Sequence, residues 1–336
     1  MTPLHNLPMR KINTKKYIVF FFKISLAILA VWYLFSSGRL TEEGLIRFFK
    51  LEHLPFFILS ALVFLSSQLL ASVRILLLLK MIDIPLRFAQ GFKLTMIGNF
   101  FNMVIPGMIG GDFIKAFLLF RNEEASRGRS AGIVAMDRVL GMFALLFIAG
   151  VSFFYLTQRY GEVLRAYSIE LQVLLIILGV SVGLFMALFI LGKNERVRQK
   201  LRRFTSMIFR REIFYHMAEG FGAISKNRGL FIYSLFISLL IQLLSLLGLL
   251  IPLNIIHETI PNLIPLTAVS SVIMILGAIP VTPGNIGWTE LIAAIGWSAV
   301  GSNTGAEVFF YWRMVIIFCS LPGAFLYYSP KKKKSS

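Results

Sequence analysis

Cysteine, acid and charge of any kind are scarce in this chain. Cys319 stands alone among 336 residues, which excludes an intrachain disulfide and a thiolate metal centre. The four histidines, His5, His53, His216 and His257, are scattered and form no H-E-x-x-H pair that could grip zinc. No G-x-x-x-x-G-K-[ST] string occurs, so nucleotide hydrolysis at a P-loop is excluded. With these chemistries missing, no metal, no cofactor and no enzymatic activity are expected.

What fills the space is apolar. The chain is 57% hydrophobic and 15% charged, with mean hydropathy +0.77. Runs at 17–35, 56–79, 133–156, 171–191, 230–251 and 308–328 approach or exceed the roughly 20 residues that cross a bilayer as helix. They lack the alternation of barrel strands, and open sheets cannot span lipid. The expected fold is an all-α polytopic membrane protein, 1–336 forming a single integral membrane domain with about six full transmembrane helices. The first run is too long for a signal-peptide core and no A-x-A-like site follows it, so it reads as an uncleaved helix.

The 34 basic residues outnumber 16 acids, for a net charge of +18. They gather at 10–16, 193–228 and 331–334, between or outside the apolar runs. That is the positive-inside bias of membrane proteins, helped by anionic lipid at the cytoplasmic face, and it argues against nucleic acid. Both termini and the basic loop 193–228 are expected in the cytoplasm, and the chain in the cytoplasmic (inner) membrane.

Two stretches share one core. VIPGMIGGD at 104–112 holds Pro106, Gly107, Ile109 and Gly110; PVTPGNIGWTE at 280–290 holds Pro283, Gly284, Ile286 and Gly287. Each breaks an apolar segment, with Gly111 extending the first, and each is soon followed by a carboxylate, Asp112 or Glu290. By the basic-residue count, 94–120 begins and ends inside, whereas 263–300 begins and ends outside. The flanking helices repeat too, giving approximate units 56–157 and 229–328 of opposite orientation, each with one re-entrant hairpin segment. Pro106 and Pro283 are 177 residues apart. Inverted repeats with broken helices place transporter sites near the membrane midplane.

Seven ionisable residues fall in or beside the apolar segments: Arg74, Asp112, Lys115, Asp137, Arg138, Glu290 and Arg313. Each costs about 2.5–3.5 kcal/mol at the centre of a lipid-facing helix, so they are expected to pair or to line a polar path. Arg74 and Arg313 could instead snorkel to a surface, and Asp137–Arg138 could anchor the loop. Asn99, Asn102, Thr282 and Asn285 could touch a ligand or satisfy backbone freed by the breaks.

The strings GNFFNMVIPGMIGGDFIKAFLLFR, AMDRVLGM and PVTPGNIGWTE resemble the lysylphosphatidylglycerol synthase transmembrane-region, or flippase-like, family in order and spacing. The resemblance marks Asn102, Pro106, Gly110, Gly111, Asp112, Asp137, Arg138, Gly141, Gly287 and Glu290. Lys115 stands where many members have Arg, keeping charge without bidentate geometry. It implies translocation of an anionic phospholipid or a polyprenyl or other lipid-linked intermediate. The soluble aminoacyl-transferase domain of full-length synthases has no counterpart here, so aminoacyl transfer is not expected. Membrane lipids, and a lipid- or glycan-synthesis enzyme, are the implied partners. The alternatives are a small-solute or ion secondary transporter, or a non-transporting partner of a lipid- or glycan-modifying enzyme.

Overall fold

A computed structural model describes residues 14–48, 50–104, 110–122, 127–159, 228–256, 263–279 and 281–328. Pro106, Gly107, the apolar run 171–191 and the basic loop up to residue 227 lie outside the described residues. Those described are helical, with no strand among them. In chain order the helices are α1 (Thr14–Ser36), α2 (Glu42–Phe48), α3 (Leu54–Lys80), α4 (Phe88–Val104), α5 (Gly110–Asn122) and α6 (Arg127–Arg159). There follow α7 (Arg228–Leu250), α8 (Leu253–Ile256), α9 (Leu263–Leu276), α10 (Trp288–Ser298), α11 (Gly305–Ser320) and α12 (Pro322–Tyr328).

Four stretches among the described residues are long and apolar enough to cross a bilayer: Leu51–Lys80, Ser130–Tyr155, Gly229–Ile256 and Gly305–Tyr328. The apolar part of α1, Phe21–Ser36, is shorter. Large apolar side chains cover the outer sides, among them Phe22 and Trp32 on α1 and Ile232, Phe236 and Leu247 on α7. Such a surface suits lipid and no aqueous solvent. This is a multi-pass all-α membrane protein.

Two boundaries differ from the sequence expectation, each for a local reason. The first broken segment begins at Phe88 rather than residue 94, because the Gln90 side chain accepts from the Arg87 N–H (2.9 Å) and so caps an earlier start. The last span is two helices, since Pro322 brings no backbone donor and the chain restarts there as α12.

The described helices of the two halves follow one order. Each has a long helix (α3, α7), a helix pair split at a Pro-Gly break (α4–α5, α9–α10) and a further long helix (α6, α11). The two first helices pack most extensively on each other, and they run antiparallel. Ile75, Leu78 and Leu79 near the end of α3 meet Leu230, Phe231 and Leu235 at the start of α7. Val63 earlier in α3 lies 3.4 Å from where a Cβ on Gly248, late in α7, would stand. The broken pairs then cross over: α9 packs on α6 of the other half, and α4 packs on α12 and α11. Met103 in the last turn of α4 has its carbonyl 3.6 Å from the Cβ position of Gly284. Thus the two breaks are neighbours.

Candidate functional site

At the first break, α4 and α5 touch backbone to backbone. A Cβ on Gly111 would stand 1.9 Å from the Gly98 carbonyl oxygen, so only glycine permits the approach. Asn102 Oδ1 accepts from the Gly111 N–H (3.0 Å), satisfying one of the donors that a helix start leaves open. Asp112 follows in the first turn of α5, where the helix dipole favours an anion. Arg138 Nε on α6 donates to its Oδ2 at 2.5 Å.

One turn further, Lys115 is 7% exposed. Its alkyl stem lies along Gly98, whose Cβ position is 2.1 Å from Lys115 Cε. Asp112, Asp137, Arg138 and Arg74 are all within electrostatic reach of the ammonium. Arg74, on α3, is 6% exposed and Asp137, on α6, is 8% exposed. Arg74 Nε donates to Asp137 Oδ1 (2.8 Å) and Nη1 to Ser238 Oγ on α7 (3.0 Å). Arg74 therefore does not snorkel. Asp137 and Arg138, adjacent in sequence, serve different partners.

At the second break, Gly284 (φ 60°), Asn285 (φ 55°) and Gly287 (φ 78°) turn the chain through the left-handed region. Glycine enters that region at little cost. Glu290, 2% exposed, accepts from the Gly287 N–H at 2.9 Å and so caps α10. Arg313 spends its fork on the break: Nε to Glu290 Oε1 (2.5 Å), Nη1 to the Gly284 carbonyl (2.7 Å) and Nη2 to the Asn285 carbonyl (2.9 Å). Asn285 also donates to the Gly277 carbonyl, and Thr282 to that of Ile286 (2.8 Å). These groups re-satisfy backbone exposed by the break, as membrane depth requires.

The halves thus share a clasp, a first-turn carboxylate held by an arginine on the next long helix: Asp112–Arg138 and Glu290–Arg313. They part company around it. At nearly the same offset, Arg74 corresponds to Gly248, Asp137 to Trp312 and Lys115 to Ala293. A Cβ on Gly248 would stand 2.5 Å from the Trp312 ring, so indole fills in the second half the place that a buried ion pair takes in the first. Polar chemistry is concentrated at the first break.

Of the candidate residues, Arg74, Asp112, Lys115, Asp137 and Arg138 come together on three helices, whereas Glu290 and Arg313 hold the second break. Asn102 braces α5, and Asn99 Nδ2 donates to Gln68 Oε1 on α3 (2.6 Å). Sequence reasoning missed Gln68, Ser238 and Gln242, the last donating to the Gly141 carbonyl (3.3 Å). Their only trace is a polar letter within an apolar helix. It also passed over the string GRSAG at 128–132, which spells G-x-S-x-G. A nucleophile elbow requires a strand entering a sharp turn, whereas Ser130 lies buried in the first turn of α6. No metal-binding cluster of His, Cys, Asp or Glu occurs among the described residues.

Fold and site define a class, a multi-pass helical membrane protein with its charges gathered at paired helix breaks. Comparison with known proteins makes it particular. Residues 20–323 match the family described as Lysylphosphatidylglycerol synthase TM region, and the chain belongs to that family. It is similar to a UPF0104 membrane protein of Pyrococcus horikoshii, 25% identical over 188 residues, covering 55% of this chain and 51% of the relative. It is also similar to a UPF0104 membrane protein of Methanothermobacter thermautotrophicus, 21% identical over 315 residues, 87% of this chain and 86% of the relative. The chain thus spans about half the length of the first of these relatives. No solved structure matches it.

Proposed function

We propose that this protein moves an anionic phospholipid or lipid-linked intermediate across the cytoplasmic membrane, with both termini in the cytoplasm and no enzymatic step of its own. The observation that carries this reading is the convergence of Arg74, Lys115 and Arg138 with Asp112 and Asp137 at the first break. Ionisable side chains at membrane depth are costly and mark substrate paths, and broken helices at a repeat interface are where such paths run. A phosphate headgroup would enter this polar region while its acyl chains stay in lipid. The sequence has no P-loop string, and the movement proposed is passive or coupled to a gradient. One charge crossing 100 mV supplies about 2.3 kcal/mol.

A fluorescent phosphatidylglycerol in proteoliposomes tests the reading. Wild type should exchange it between leaflets faster than protein-free vesicles, with Arg138→Ala slower. Equal rates for all three overturn the proposal. Solute uptake without lipid redistribution would identify a small-solute transporter instead.

A further inference from the structure

The first-break cluster holds three cations and two carboxylates, and the carboxylates are already taken. Asp137 accepts from Arg74, and Asp112 accepts from Arg138. Arg74 also donates from Nη1 to Ser238. Lys115, between these pairs, makes no direct hydrogen bond or ion pair among the described residues, although its side chain is buried. The fully enclosed polar atoms that lack a partner among the described residues are Arg39 Nη1 and the hydroxyls of Ser60, Ser130, Tyr311 and Ser320. The Lys115 stem is enclosed against Gly98, and the residue as a whole is only 7% exposed.

A buried lysine beside two carboxylates that each already accept from an arginine leaves the cluster one cation in excess of its anions, which favours a counter-anion, since buried charge is held only when paired. The compact, rotatable donor of lysine suits a phosphate oxygen approached from one side. Among the described residues the second half has nothing equivalent. Ala293 stands where Lys115 would be, Trp312 where Asp137 would be, and the fork of Arg313 is committed to Glu290, Gly284 and Asn285.

We infer that the chain binds one phosphate group at a time, on Lys115 at the first break, and that the second half carries no counterpart of this site. Arg74 and Asp137 are positioning residues, holding α3 and α6 at the separation the site needs. Glycine at position 98 leaves room for the lysine stem. This assignment rests on the transport reading above for its substrate, but the binding site stands or falls separately.

The test is a calorimetric titration of the purified full chain in mild detergent with dihexanoylphosphatidylglycerol, with inorganic phosphate, and with dihexanoylglycerol as the phosphate-free control. Binding of one phosphate-bearing ligand per chain is expected. Lys115→Met should weaken it at least tenfold, Lys115→Arg should keep it within about threefold, and Trp312→Phe should leave it unchanged. Because the lysine has no partner to lose, ligand-free Lys115→Met should melt no lower than wild type.

Saturation by inorganic phosphate alone, lost in Lys115→Met, upholds the site and identifies free phosphate as its ligand. Saturation by the short-chain lipid alone upholds it and identifies a headgroup. Two sites per chain, no binding of either ligand, equal binding of dihexanoylglycerol, undiminished binding by Lys115→Met, or a much lower melting point for that variant each overturns the inference. Lipid exchange by wild type that Lys115→Met leaves intact sinks this assignment but spares the transport reading. Binding lost in Lys115→Met, with no exchange by wild type, does the reverse.

Discussion

Asp137→Asn should be the most damaging single change at the first break. The carboxylate accepts from Arg74 Nε at 2.8 Å, and both side chains are about nine-tenths buried. Removing one partner of a buried pair typically costs about 3–5 kcal/mol, because the other is left as an uncompensated charge. Here the loss strands two cations, Arg74 and the nearby Lys115. The cost should sit at the upper end of that range, a fall in melting midpoint on the order of 10 °C. Arg74→Met should cost less, about 3 kcal/mol, since it strands one charge, Asp137, rather than two. The double variant Arg74→Met/Asp137→Leu removes the ion pair whole, and apolar replacements of buried pairs are often nearly neutral. It should recover at least about 2 kcal/mol relative to the sum of single losses. Thermal melting of the three variants in one detergent, read as a double-mutant cycle, measures this. Additivity within roughly 0.5 kcal/mol, or single losses that small, would show that the pair contributes nothing to the fold.

Gly111→Ala should cost about 1–3 kcal/mol, seen as a lower melting midpoint, because its Cβ would meet the Gly98 carbonyl rather than a yielding side chain. Asn102→Ala should cost about 1 kcal/mol by removing the acceptor for the Gly111 N–H, and Asn102→Asp should restore most of it. Arg313→Gln should destabilise strongly, by about 3–5 kcal/mol, since it leaves Glu290 buried without its cation. Arg313→Lys should not rescue it, because an ammonium cannot reach Glu290, Gly284 and Asn285 in one plane.

The helices were legible because crossing lipid demands long apolar runs, and the breaks because Pro-Gly in such a run leaves backbone groups that something must satisfy. Asp112 and Glu290 could be read as sites from their matched places after the breaks. Their partners could not. Arg138 and Arg313 reach back 26 and 23 residues, a distance set by how α5 folds on α6 and α10 on α11. Arg74 meets Asp137 across 63 residues only because α3 packs on α6, and no periodicity in the letters encodes that contact. The difference in side-chain chemistry between the halves was equally hidden. Gly248 and Trp312 read as ordinary residues of apolar spans until their contact is seen to occupy the place of Arg74 and Asp137.

Leaflet exchange of a fluorescent phosphatidylglycerol, followed by dithionite quenching in proteoliposomes, tests the central claim most directly. Wild type should expose the inner-leaflet pool well above the protein-free rate. Lys115→Met should fall at least tenfold towards that rate, whereas Trp312→Phe in the second half should match wild type. A wild-type rate no faster than protein-free vesicles would contradict the account.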